Sequence, residues 1–168
     1  MSSRTDNGLA KTLAAFDRLK VGPREAMLKA MITSAEEIAD AQRALAPEAD
    51  GDLKASITVT LPGNATPSHS QPGGSHLVGP LEVAITAGND DVRYAHLVEH
   101  GSAPHDVSKG AATRKGRLRR LFGGGTQHPG TDPQPFFWPG YRLTRSRARN
   151  RINRATRKAV NDSWEGNK

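Results

Sequence analysis

Residues 94 to 102 read Tyr-Ala-His-Leu-Val-Glu-His-Gly-Ser, placing His96, Glu99 and His100 in the order H-x-x-E-H. This is the ligand spacing of one group of zinc peptidases. On a helix, His96 and His100 lie one turn apart on one face, so two imidazoles could hold one metal ion while Glu99 activates a bound water. Such a site needs a third protein ligand, usually a downstream glutamate. After Glu99 the only glutamate is Glu165, near the end of the sequence, and His69, His76, His105 and His128 all lie among turn-forming residues. The match is therefore read as coincidence: no metal site and no cofactor are expected.

Other catalytic patterns are equally incomplete. Gly123-Gly124-Gly125 is not followed by the Lys-Ser/Thr that a phosphate-binding loop requires. Without cysteine there is no thiol nucleophile, disulfide or thiolate metal site, and no serine stands in a Gly-x-Ser-x-Gly turn. Glu36 and Glu37 are neighbours that point apart on a helix, and Asp90-Asp91 follows Gly88-Asn89 as turn chemistry. The protein is expected not to be an enzyme.

Charge is the stronger signal. The net +7 conceals an uneven distribution: residues 1–100 hold 9 Lys/Arg against 13 Asp/Glu, whereas residues 101–160 hold 14 against 2. From 142 to 158 eight cations occur without one acid, at Arg142, Arg145, Arg147, Arg149, Arg151, Arg154, Arg157 and Lys158. A helix built only for solubility mixes its signs, because like charges one turn apart repel. The acid-free run points to an anionic partner, DNA or an acidic protein surface. Its lack of zinc ligands, a heptad zipper or groove-reading residues argues for phosphate contact and against sequence reading. Lys109, Arg114, Lys115, Arg117, Arg119 and Arg120 add a second basic stretch, expected to serve as loop contacts.

These residues need elements to position them. Pro23 suits the first position of a helix, and residues 23–45 run without further Pro or Gly, with Met27, Met31, Ser34, Ile38, Ala41 and Leu45 forming a stripe. A shorter helix is expected around Leu9 to Leu19. In 53–61, Leu53, Ala55, Ile57, Val59 and Leu61 alternate with polar residues, and Leu81, Val83, Ile85 and Ala87 repeat the alternation. The two segments should be paired strands, joined by a long exposed loop at 62–79 that is rich in Pro, Gly and Ser. A second irregular region covers 102–132. Pro139 can begin a long basic helix running to about Trp164, with a narrow apolar seam at Tyr141, Ala148, Ile152, Ala155 and Ala159. The fold class is thus α+β: a small antiparallel sheet packed with a long helix of the N-terminal half and a long basic C-terminal helix. With 35% hydrophobic residues, 17 Gly and 11 Pro, one domain over 1–168 with a modest core and flexible ends at 1–8 and 165–168 is expected. No apolar block suits a secretory leader or a membrane span; synthesis in a reducing cytoplasm fits the lack of cysteine.

Three pieces recur in a known order: Ala46-Pro47 with Gly51-Asp52-Leu53-Lys54-Ala55-Ser56-Ile57, then Tyr94-Ala95-x-x-Val98-Glu99-x-Gly101-Ser102, then Pro133-Gln134-Pro135-Phe136 before a basic helix. Together they resemble a tail-component family of lambda-like long-tailed phages, described as tail completion or tail terminator proteins. In that pattern Glu99 matches and His96 and His100 fall at variable positions; Ser102 replaces the usual Thr and Gly140 the usual Ala. The resemblance implies a virion protein of the head-tail interface, made in the host cytoplasm. It would form a ring, usually a hexamer, that caps the tail tube and contacts the tail tube protein and a head-closure or connector protein, with genomic DNA passing through the lumen. A head-closure stopper of the same neck and a free, nonspecific nucleic-acid-binding protein are the alternatives. Physically, Gly51 and Gly101 would permit turns, Leu53 and Ile57 would pack inward, and Pro133 and Pro135 would hold the chain extended while Phe136 and Trp138 anchor the last helix.

Overall fold

The computed structural model describes residues 6–48, 51–107 and 127–165. In chain order the elements are α1 (Asp6–Leu45), α2 (Asp52–Ala55), β1 (Thr58–Thr60), β2 (Ala84–Thr86), α3 (Ala95–His100), β3 (His105–Asp106), β4 (Gln127–His128) and α4 (Phe137–Glu165). The architecture is α+β, two long helices packed together with two small antiparallel sheets, as the sequence leads one to expect. Residues 109–120, with the six cations expected to make loop contacts, lie outside the described residues.

The helix starting at Pro23 and the shorter helix before it are one continuous helix of 40 residues, with Pro23 in its interior. An interior proline removes one backbone hydrogen bond and crowds the preceding turn. Here packing against α4 spans the break: Pro23 is buried, and a Cβ on Gly22 would lie 2.9 Å from Ser163 Oγ. The α1 stripe is also rotated from expectation. Ala30, Ser34, Ala35, Ile38, Ala39 and Gln42 are buried, Met27 and Met31 are half-buried, and Leu45 is exposed. Close approach of two helices favours the smallest side chains at the line of contact, so the methionines flank it.

The expected strand at 53–61 is shorter and begins with a helical turn. Gly51, at φ 83°, reverses the chain into α2, and Ser56 Oγ donates to the Leu53 carbonyl at 2.7 Å. Leu53 and Ile57 are both buried but Ala55 is exposed. A four-residue spacing of apolar groups fits a helical turn as well as a strand, so alternation alone misassigned this segment. β1 and β2 do pair antiparallel, Thr58 opposite Thr86 and Val59 opposite Ile85. Leu61 and Leu81 are exposed, whereas Thr60 and Thr86 are buried.

Most of residues 62–79 are exposed, as their composition suggests, but the segment is locally ordered. Ala65 bridges Leu77 and Gln71 bridges Ala87, while Thr66, Ser70 and Val78 are buried. The Thr66 hydroxyl donates to the Gly74 carbonyl and accepts from the His76 amide, at 2.8 and 2.9 Å. Polar residues can pack when each supplies the partner another lacks.

The end of α1 meets the start of α4 at Gly140. A Cβ there would come within 2.7–2.9 Å of Gln42 Cγ, Cα and N, and Gln42 Nε2 donates to the Phe137 carbonyl at 3.0 Å. Gly140→Ala is therefore expected to destabilise by about 1–3 kcal/mol through overpacking, although alanine is the common residue in the pattern the sequence resembles. An unchanged melting temperature would show that the two helices can separate without cost.

Candidate functional site

Local backbone geometry brings the three motifs together. At Gly101 the chain leaves α3 with φ 72°, and a Cβ would meet the Thr131 carbonyl oxygen at 2.6 Å and Pro133 N at 2.9 Å. Only glycine fits both the backbone angle and the contact. Ser102 and Thr131 then exchange two backbone hydrogen bonds, at 2.9 and 3.0 Å, and the Gln134 amide donates to the Val98 carbonyl at 2.8 Å. Residues 131–135 thus run beside α3, and Pro133 and Pro135, both exposed, carry the chain into α4.

Glu99 receives the start of that helix. Its Oε2 accepts the Phe136 and Phe137 amides at 2.7 and 2.8 Å, and its Oε1 accepts the Trp138 amide at 3.1 Å. Free amides and the positive end of the helix dipole favour a carboxylate there. Glu99 is 7% exposed, so these bonds compensate the loss of hydration. Both oxygens accept backbone amides, so a structural role accounts for this carboxylate, which lines the same cleft as His96 and His100. The two histidines are exposed at the rim of a cleft of about 240 Å³ lined also by Pro72, Ala95, Phe137 and Trp138. Among the described residues no group of three or more His, Cys, Asp or Glu is arranged to hold a metal.

Phe136, at 1% exposed, is the innermost aromatic and packs with Ala39, Leu53, Ile57, Val92, Ala95 and Phe137. Its expected companion differs: Phe137 is buried, whereas Trp138 is 42% exposed. Successive residues at a helix start point about 100° apart, so three consecutive aromatics cannot all face one core. Tyr141, expected in the apolar seam, is also exposed and meets Trp138 edge-on at 6.2 Å. The buried line of α4 is Phe137, Gly140, Thr144 and Ala148, continued by the half-buried Ile152, Ala155 and Ala159.

The cations of α4 divide into two groups. Arg147 and Arg151 both pair with Glu37 of α1, Arg151 at 2.6 Å, and Arg151 also donates to Ser34 Oγ at 3.1 Å. The hydrogen bond from Arg151 and the nearby Arg147 hold the Glu37 carboxyl below its ordinary value. This clasp is fully present at neutral pH and is lost as pH falls through that lowered value. Sequence spacing did not reveal it: Arg147 and Arg151 are one turn apart, but nothing names Glu37, 110 residues before Arg147, as their partner. Arg142, Arg145, Arg149, Arg154, Arg157 and Lys158 are exposed and have no acidic partner among the described residues. The basic helix therefore presents a free cationic face and a second, fold-bound pair.

A model of the family HK97-gp10_like, described as "Bacteriophage HK97-gp10, putative tail-component", matches residues 10–101. The match runs from within α1 to the turn at Gly101. No curated protein and no solved structure matches the chain.

Proposed function

This chain belongs to the HK97-gp10-like family of phage tail components, and we propose that in the virion it is a neck subunit, a tail terminator or tail completion protein. In this role it forms a ring, most simply a hexamer, that caps the tail tube and joins it to the head through a head-closure or connector protein. Genomic DNA passes along the ring's axis. The observation that carries the DNA part is the free cationic face of α4, where Arg142, Arg149, Arg154, Arg157 and Lys158 stand without acids. A face of this kind meets phosphates and does not read bases.

Binding of the protein to duplex DNA should then be indifferent to sequence and fall steeply with salt, by about 0.9 in log-log slope for each phosphate contacted. Replacing Arg149, Arg154 and Arg157 by Gln should flatten that slope with an unchanged melting temperature. Arg147 and Arg151 are unsuitable for this test because they hold α1. Sequence-dependent affinity, or affinity insensitive to salt, would sink the DNA assignment. A monomer that binds DNA and never forms a ring would instead favour a free nucleic-acid-binding protein.

In the same reading the protein performs no hydrolysis and holds no zinc, since Glu99 is engaged with the start of α4. Protein prepared without chelators should carry no stoichiometric zinc. Stoichiometric metal that disappears in a His96→Ala/His100→Ala variant would overturn this.

A further inference from the structure

The outer edge of the β1–β2 sheet is only partly covered. Ala87 donates to and accepts from the backbone of Gln71, both at 2.8 Å, across the edge away from β1. Backbone groups along a strand alternate between its two edges. Thr86 and Ala84 therefore face β1, opposite Thr58 and Thr60, and Ile85 faces outward with Ala87. In an antiparallel partner the residue opposite Ile85 would be Gly73. The chain instead turns away there, with Gly73 and Gly74 at φ 90° and 65° and the Gly74 amide donating to the Ser70 carbonyl at 3.0 Å. The outward N–H and C=O of Ile85 are left without a partner among the described residues.

This open edge borders a largely apolar groove of about 340 Å³. Val83 and Ile85 line it from β2, Ala35 and Ile38 from α1, and Tyr141 and Ile152 from α4. Among the described residues the only charged groups lining it are Arg145 and Arg149, both exposed and without acidic partners. Glu82, next to Val83, is engaged elsewhere: its carboxylate accepts the Gly79 amide at 2.9 Å and lies 3.7 Å from His76. We propose that an extended acidic segment of another protein adds to this edge as a third strand. Its backbone pairs with Ile85, its apolar side chains enter the groove and its carboxylates meet Arg145 and Arg149.

Each part of the groove restricts its occupant. An open strand edge is matched by another backbone, which gives affinity, while alternate side chains of the added strand give specificity. Guanidinium groups beside apolar walls favour carboxylates, which they hold through paired hydrogen bonds. The chain's own stretch at 109–120 carries six cations and no acid, the wrong sign for this place. DNA is anionic but offers neither a backbone partner for Ile85 nor apolar groups for Ile38 and Ile152. Arg154, Arg157 and Lys158 border a separate polar hollow, so phosphate contact there is compatible with a strand in the groove. Neither a ring nor DNA is required for this contact.

The test is an NMR titration of the full chain with a synthetic peptide of alternating Val and Glu with blocked ends. The Ile85 and Val83 amide signals should shift, and exchange of the Ile85 amide with deuterated solvent should slow. A peptide with Lys in place of Glu should not bind. N-methylation of every second peptide amide should abolish binding in one of the two possible registers, because one edge of the peptide must donate to Ile85. Arg145→Glu/Arg149→Glu should melt with the parent, both residues being exposed and unpaired, and bind the peptide about tenfold more weakly or worse, since like charges then face each other. Arg145→Gln serves if the double variant is unstable. A Glu peptide that does not bind, that binds without moving Ile85, or that the Lys peptide matches would overturn the proposal. So would an Ile85 amide already protected in the protein alone and released on dilution, the mark of a second copy in the groove. Duplex DNA that shifts Ile85 and Val83 and displaces the peptide would assign the groove to DNA instead.

Discussion

Replacing Glu99 by alanine is expected to lower the unfolding free energy by about 3–5 kcal/mol. The change leaves the amides of Phe136, Phe137 and Trp138 without their acceptor, and each buried donor left unpaired costs about 1–3 kcal/mol. The positive end of α4 also loses its counter-charge, worth about 0.3–1 kcal/mol. Glu99→Gln should be intermediate, since one amide oxygen can still accept from two of the donors while the NH2 group faces the third. Urea unfolding of the three proteins measures this. An alanine variant as stable as the parent would mean that water caps the helix equally well, and the role assigned to Glu99 would be wrong.

Phe136→Ala should cost about 3–5 kcal/mol, the usual range for truncating a buried phenylalanine, because Phe136 is 1% exposed at the centre of the core cluster. Against the modest total stability of a small domain, this should leave the protein partly unfolded or poorly expressed. Trp138→Ala provides the contrast. With Trp138 at 42% exposure, its replacement should change stability far less. If the Phe136 variant melted with the parent and the Trp138 variant did not, the orientation of the aromatic block would be reversed.

The sequence alone determined the elements whose signals are local. The helical period of α1, the acid-free run in α4 and the strand character around 58–60 and 84–86 are legible within single segments, although the α1 stripe is rotated and 52–55 is a helical turn. It also marked Glu99, Gly101 and Phe136 as positions of interest. What it could not supply is the partner each group meets. Glu99 pairs with amides 37–39 residues later, Glu37 with arginines at 147 and 151, and Gly140 with the backbone of Gln42.

Tertiary packing decided the rest for the same reason. It carried α1 through Pro23, where local preference ends a helix, because burial along α4 offsets one missing hydrogen bond. It turned Trp138 and Tyr141 outward and put Gly140 and Thr144 inward, because two helices in close contact leave space only for small groups between them. It folded the polar 62–79 segment back on itself around the Thr66 hydroxyl, which bonds the Gly74 carbonyl and the His76 amide. Each outcome depends on which groups meet across the chain, and intervals along one segment do not encode that.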